Sequence, residues 1–191
     1  RIALAGAFET LQARLGPVDI LVNNAGAAVS GPFLKLADDA FQQMLEINCL
    51  ATVSCTRLVL QGMVDRGFGR IVNIASTAAL KGYPYVSAYV AAKHAVLGFT
   101  RALALETAKR GVTVNAVCPG FTETDLVAES VANIVRQTGR TEADARAQLA
   151  ANNPQGRLIQ PQEVADVVLY LARRESQSIT GTAMPVAGGE V

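Results

Sequence analysis

The chain has no tryptophan, a single histidine and only 5% aromatic residues among its 191 positions. Binding of single-stranded nucleic acid calls for aromatic platforms interleaved with lysine and arginine. No such pattern and no basic stripe is present, and 17 basic residues nearly balance 16 acidic ones, so nucleic acid is not an expected partner. Cysteine is scarce as well. Cys49, Cys55 and Cys118 are odd in number, sit among apolar neighbours and form no CxxC or Cys/His spacing. That argues against a zinc ribbon or a disulfide scaffold and suits reduced thiols, so the expected location is cytoplasmic and no metal is expected. The longest uncharged stretch, residues 20–34, is too short for a bilayer and holds two Asn, two Gly and a Pro, so no membrane partner is expected.

What is present is apolar: half of the residues are hydrophobic, enough for one sizeable core, and nothing resembles a linker. One domain over residues 1–191 is expected. Leu4, Phe8, Leu11 and Leu15 recur at helical spacing and stop at Gly16-Pro17, which predicts an opening amphipathic helix. Residues 18–22, 71–75, 112–117 and 182–186 read as apolar strands. Between them, residues 38–66 and a segment carrying Tyr89 and running to Arg110 read as helices, and Pro161 opens another. Such alternation predicts an α/β fold with a doubly wound parallel sheet, Rossmann-like in its crossovers. The polar, alanine-rich stretch that follows Gly120 has a capping pattern at Thr141 to Asp144, and residues 122–158 are expected to form mobile substrate-binding helices.

The chemistry concentrates in Ser76, Tyr89 and Lys93. Tyr89 and Lys93 are four apart on a helix and project from one face, so the ammonium is expected to favour the phenolate and lower the tyrosine pKa. Ser76 follows a buried strand, and the carboxyl edge of a parallel strand is where open α/β sheets place ligand chemistry. His94 sits next to Lys93, but adjacent helical residues point about 100° apart, so a structural role is expected for it.

Four segments, NNAG at Asn23 to Gly26, Asn48, the Ser76/Tyr89/Lys93 set, and PGFTET at Pro119 to Thr124, stand in one order. In this the chain resembles the short-chain dehydrogenase/reductase family over nearly its whole length. The resemblance implies an NAD(P)-dependent oxidoreductase, with Tyr89 as general acid or base and Ser76 binding the substrate oxygen. It implies that Lys93 binds the nicotinamide ribose and that Asn48 holds a water linking Lys93 to solvent. Asn23, Ala25, Gly26, Pro119, Gly120 and Thr124 fall at its cofactor-binding positions together with Tyr89 and Lys93. Ala78, Tyr83 and Tyr85 line the expected substrate side, and a homotetramer is the implied assembly.

The family's glycine-rich pyrophosphate turn is not found in this sequence. The expectation drawn from that is a chain lacking the first strands of the fold, with exposed sheet edges and no basis for choosing between NAD and NADP. Wording such as NIAST and VNAVCPGFTET is similar to 3-oxoacyl, acetoacetyl-CoA and polyketide ketoreductases, so a 3-oxoacyl thioester is the expected substrate. The positions at which 3-hydroxybutyrate dehydrogenases hold a carboxylate are here Ala78 and Val86, which argues against a small free hydroxy acid. A secondary-alcohol or 3-hydroxyacyl dehydrogenase stays open as an alternative. So do a non-catalytic binding subunit and an inactive fragment.

Overall fold

Helices and strands follow the expected alternation, and their ends are set by local hydrogen bonding. The computed structural model describes residues 2–191. Helix α1 (Ile2–Leu15) stops at Gly16, which takes a left-handed φ of 87°. Strand β1 (Ile20–Asn23) starts later than the apolar run suggests. Before it, Arg66 donates to the Val18 carbonyl and pairs with Asp19 at 3.1 Å, while the Asp19 carbonyl already accepts from the Arg70 N–H of the neighbouring strand at 2.9 Å.

The long helical region forms as α2 (Ala40–Leu45), a π-helical turn (Glu46–Leu50) and α3 (Ala51–Asp65). By length and hydropathy this run of 26 residues could cross a membrane. In the structure, however, Thr52, Thr56, Val59 and Met63 of α3 are buried, and Val59 and Met63 pack on the sheet residues Leu21, Ile71, Val112 and Val114.

Strand β2 (Gly69–Ile74) leads to helix α4 (Ser87–Thr107), and Gly111 then turns the chain into β3 (Val112–Pro119). Only glycine serves at 111: its φ is 72°, and an added Cβ would lie 2.1 Å from the Gly67 carbonyl oxygen. Helices α5 (Asp125–Thr138), α6 (Glu142–Ala150) and α7 (Pro161–Ala172) precede β4 (Ala183–Val186). The anticipated cap on α6 is present, with Thr141 Oγ1 accepting from the Asp144 N–H at 3.1 Å.

Among the described residues the strands make one parallel sheet in the order β1-β2-β3-β4. Helices α3 and α4 cover one face through Met63, Ile71, Leu103 and Val114, and α7 covers the other through Leu171, Val72 and Val117. Strands β2 and β3 are therefore buried on both sides, and the asparagines they bury, Asn73 and Asn115, are hydrogen-bonded to Thr100 and to the Ile179 carbonyl. Strand β1 bonds only to β2 and leaves Ile20 and Val22 exposed. Helices α5 and α6 form a separate small cluster around Val127, Val131, Ala145, Leu149 and Leu158.

Candidate active site

The carboxyl ends of β1, β2 and β3 share one edge of the parallel sheet, the region called the cleft below, and α4 lays a tyrosine and a lysine beside it. Ser76, just past β2, has extended backbone and caps the short turn Thr77–Ala79, its Oγ accepting from the Ala78 N–H at 3.1 Å. That bond uses a lone pair and leaves the hydroxyl proton available.

Tyr89 and Lys93 lie one turn apart on α4, as their spacing predicts, with Lys93 Nζ 5.6 Å from the centroid of the Tyr89 ring. Lys93 is only 5% exposed, and its Nζ donates to the Ile74 carbonyl at 2.9 Å. Burial disfavours its charge and pushes its pKa down to about 8, opposed only by Cys118 nearby. An ammonium has three donors, and the Ile74 carbonyl takes one.

The expected lowering of the Tyr89 pKa by Lys93 is not what the structure shows. Burial raises the phenol above its ordinary value, and a hydrogen bond with Ser76 is what draws it back. Desolvation of the buried ring is the largest influence on the phenol and outweighs the rest.

Asn48 lies in the π-turn and is buried. Its Nδ2 donates to the carbonyls of Ala27 at 2.9 Å and of Met44 at 3.0 Å, and its Oδ1 accepts from the Ala27 N–H at 3.3 Å. The side chain thus fastens the loop after β1 to the broken helix. Gly26 is pressed between these groups: a Cβ there would lie 2.7 Å from Asn48 Oδ1 and 3.5 Å from Lys93 Nζ. A glycine at 26 is therefore a packing requirement.

Not every expected site residue reaches the cleft. Asn23 is buried, and its Nδ2 donates inward to Asn73 Oδ1 at 2.8 Å, which places its amide in the core. Asn73 passes the network on to Thr100 at 2.8 Å. Ala78 is 2% exposed and faces inward, because the turn that Ser76 caps rolls it under the chain. Tyr83 and Tyr85 do stand on the loop between Ser76 and Tyr89, with Tyr83 partly buried and Tyr85 exposed. Ala25 and Gly26 are exposed at the end of β1, Gly120 follows β3, and Thr124 precedes α5 with its hydroxyl donating to the Thr122 carbonyl at 3.2 Å. His94 is exposed, its Nδ1 3.0 Å from the Val90 carbonyl, apart from the cleft.

Sequence reasoning passed over Glu190, a lone acid in the apolar tail after β4, whose side chain is buried against Lys81 and Tyr83. The available signal was a charge amid the run AMPVAGGEV.

The donor set fits the nicotinamide end of a dinucleotide: a buried ammonium with donors to spare stands beside two hydroxyls at the carboxyl edge of a parallel sheet. Among the described residues no cluster of His, Cys, Asp and Glu could hold a metal ion.

Residues 2–190 match the family model described as Enoyl-(Acyl carrier protein) reductase. A putative ketoacyl reductase of Streptomyces coelicolor is 44% identical over 92% of this chain and 68% of its own length. An acetoacetyl-CoA reductase of Shinella zoogloeoides is 39% identical over 94% of this chain and 70% of its own. A solved structure of a variant actinorhodin polyketide ketoreductase with NADPH superposes with a TM-score of 0.93 at 41% identity, covering 98% of this chain and 72% of that one. Likeness of this extent, in sequence and in fold alike, makes the chain a member of the short-chain dehydrogenase/reductase family.

Proposed function

We propose that this protein is an NAD(P)-dependent ketoreductase that reduces the ketone of a 3-oxoacyl thioester. The observation that carries the reading is the convergence of Ser76, Tyr89 and Lys93 on one cleft. The similarity to ketoacyl and acetoacetyl-CoA reductases supports the substrate class. The bound nicotinamide supplies the hydride.

Tyr89 delivers its phenolic proton to the substrate oxygen as charge develops there. A pKa held up by burial keeps that proton on the phenol at neutral pH, which is the form reduction needs. Ser76 donates its hydroxyl to the same oxygen and stabilises the negative charge. Lys93 spends one donor on Ile74, would hold the cofactor's ribose hydroxyls with the others, and with its lowered pKa can return a proton to the phenolate after each turnover. Asn48 keeps the Ala27 loop and the π-turn in place beneath it. Pro119, Gly120 and Thr124 would hold the nicotinamide end of the cofactor, and helices α5 and α6, with the turn after them, form the movable cover of the cleft.

Exposed Leu58 on α3, Leu105 on α4 and Leu169 and Tyr170 on α7 support assembly as a homotetramer.

The test is consumption of NADPH or NADH by the full-length protein with acetoacetyl-CoA. Turnover that Tyr89→Phe abolishes is the expected result. A folded parent with no turnover on any thioester with either cofactor overturns the reading and favours a binding subunit.

A further inference from the structure

The side chain of Glu190 is 2% exposed, and a carboxylate so buried is tolerated only where donors answer it. Its donors come from the loop between Ser76 and Tyr89. The Tyr83 hydroxyl donates to Glu190 Oε1. Lys81 Nζ lies 3.2 Å from the same oxygen and donates to the Glu190 backbone carbonyl at 3.2 Å. Tyr83 Oη is also 2.7 Å from Thr77 Oγ1. A phenol has one proton, and a carboxylate can only accept, so the Thr77 hydroxyl donates to Tyr83 in turn. The contact thus runs from the tail through Tyr83 to the residue after Ser76.

Two further contacts stiffen the arrangement. The Tyr83 ring meets Phe121 edge-on at 6.2 Å between centroids, and Lys81 Nζ stands 5.1 Å over the Tyr83 ring. Glu190 Oε2 is buried without a partner beside Gly120, where an added Cβ would lie 3.0 Å from it. One carboxylate therefore sits against both the Lys81–Tyr83 loop and the turn after β3, the two segments that flank the cleft.

We propose that Glu190 is a positioning residue that holds Lys81 and Tyr83 in place as a wall of the substrate cleft, and so sets which ketones reach Ser76 and Tyr89. The inference rests on the reading of that cleft as the ketone-reducing site. Without the carboxylate, Lys81 loses its ion pair, Tyr83 loses its acceptor, and the wall is free to move while Ser76 and Tyr89 stay anchored on β2 and α4.

The experiment compares the full-length parent with Glu190→Gln, Tyr83→Phe and the double variant. Amide hydrogen exchange reports the wall without any substrate, and steady-state kinetics with acetoacetyl-CoA and a longer 3-oxoacyl thioester report its effect. Glu190→Gln should speed exchange in residues 77–86 by about tenfold while leaving β2 and β3 unchanged. It should raise KM by about fivefold or more, with kcat falling less than about threefold, and alter the preference between the two thioesters. The double variant should be no worse than the more affected single one, because both act on the one Tyr83–Glu190 contact, which Phe removes and Gln, keeping only a neutral acceptor, weakens. Unchanged exchange at 77–86, additive effects, or a loss confined to kcat overturns the proposal. If Glu190→Gln does not fold, Tyr83→Phe, which leaves the carboxylate with its lysine, decides by the same exchange measurement. If the parent turns over no thioester, the assigned reaction fails, while exchange still tells whether Glu190 holds the wall.

Discussion

Asn48 and Ala27 hold each other twice, the amide nitrogen donating to the Ala27 carbonyl at 2.9 Å and the amide oxygen accepting from the Ala27 N–H at 3.3 Å. Truncation to Ala at 48 leaves both backbone groups and the Met44 carbonyl without this partner. Asn48→Ala should destabilise the protein by about 2–3 kcal/mol, read as a lower urea midpoint. It should also reduce kcat more than about tenfold, because the Ala27 loop then drifts from Lys93.

Gly26→Ala tests the same junction from the opposite side. The new Cβ would meet Asn48 Oδ1 at 2.7 Å, and that side chain is fixed by three hydrogen bonds and cannot step back. The expected outcome is a loss of about 1–3 kcal/mol in chemical denaturation and a larger proportional loss of turnover. A variant as stable and active as the parent would contradict the packing described.

Tyr89→Phe removes the proposed proton donor and leaves the ring that packs beside Met44, Ala88 and Ala92. Thioester reduction should fall by about two to four orders of magnitude with the melting temperature little changed. Ser76→Ala should lower kcat by about a hundredfold with a small effect on KM, since its hydroxyl acts on charge that appears only in the transition state.

Lys93 makes stability depend on pH in a stated direction. Its folded pKa, about 8, lies below the value of 10.5 for a free lysine. Between these values the unfolded chain holds a proton that the folded chain has released, so this group's contribution to stability rises with pH across that window. Burying the charge is a cost in full below pH 8 and none above 10.5. The stability difference between Lys93→Met and the parent should therefore favour the variant most below pH 8 and shift towards the parent through the window, by about 3 kcal/mol in all. Comparing the two proteins cancels the raised pKa values of Cys49, Cys55 and Tyr83, which act in the opposite sense at high pH, whereas Cys118, coupled to Lys93, shifts along with the substitution.

Tyr85 has a left-handed φ of 68°, and its carbonyl accepts from the Gly31 N–H at 2.7 Å. Asparagine tolerates that conformation better than a bulky aromatic residue. Tyr85→Asn should raise stability by about 0.5–1 kcal/mol in urea denaturation. If Tyr85 lines the substrate side as proposed, KM for a long-chain thioester should rise once its exposed ring is gone.

The order of strands and helices was legible in the sequence because β2 and β3 are buried on both faces and α4 carries a long apolar stripe. The placement of Tyr89 and Lys93 one turn apart on α4 was legible because their spacing lies on a regular helix, and Ser76 was placed just past β2 by the end of the apolar run. What was not legible depends on contacts made across the chain. Nothing local says that Asn23 turns inward to Asn73, or that Ala78 rolls under the turn after Ser76. The state of Tyr89 was not legible because spacing reveals the nearness of Lys93 but not how deeply the fold buries the phenol. Glu190 stands more than a hundred residues from Lys81, and only the closed sheet brings them together.

The π-turn at Glu46–Leu50 makes the helix a counted length. It carries one more residue per turn than its flanks, so Asn48 meets Ala27 while Thr56, two turns on, still meets Asn23. Deleting a single residue there would close the turn to an ordinary α-helix and rotate everything beyond it by about 100°. Met63 would swing from its seat against Gly69, and the core would lose its register with the cleft. Substitutions along the solvent side of this helix should be freely accepted in a mutational library, whereas one-residue gaps within 46–50 should be purged from it.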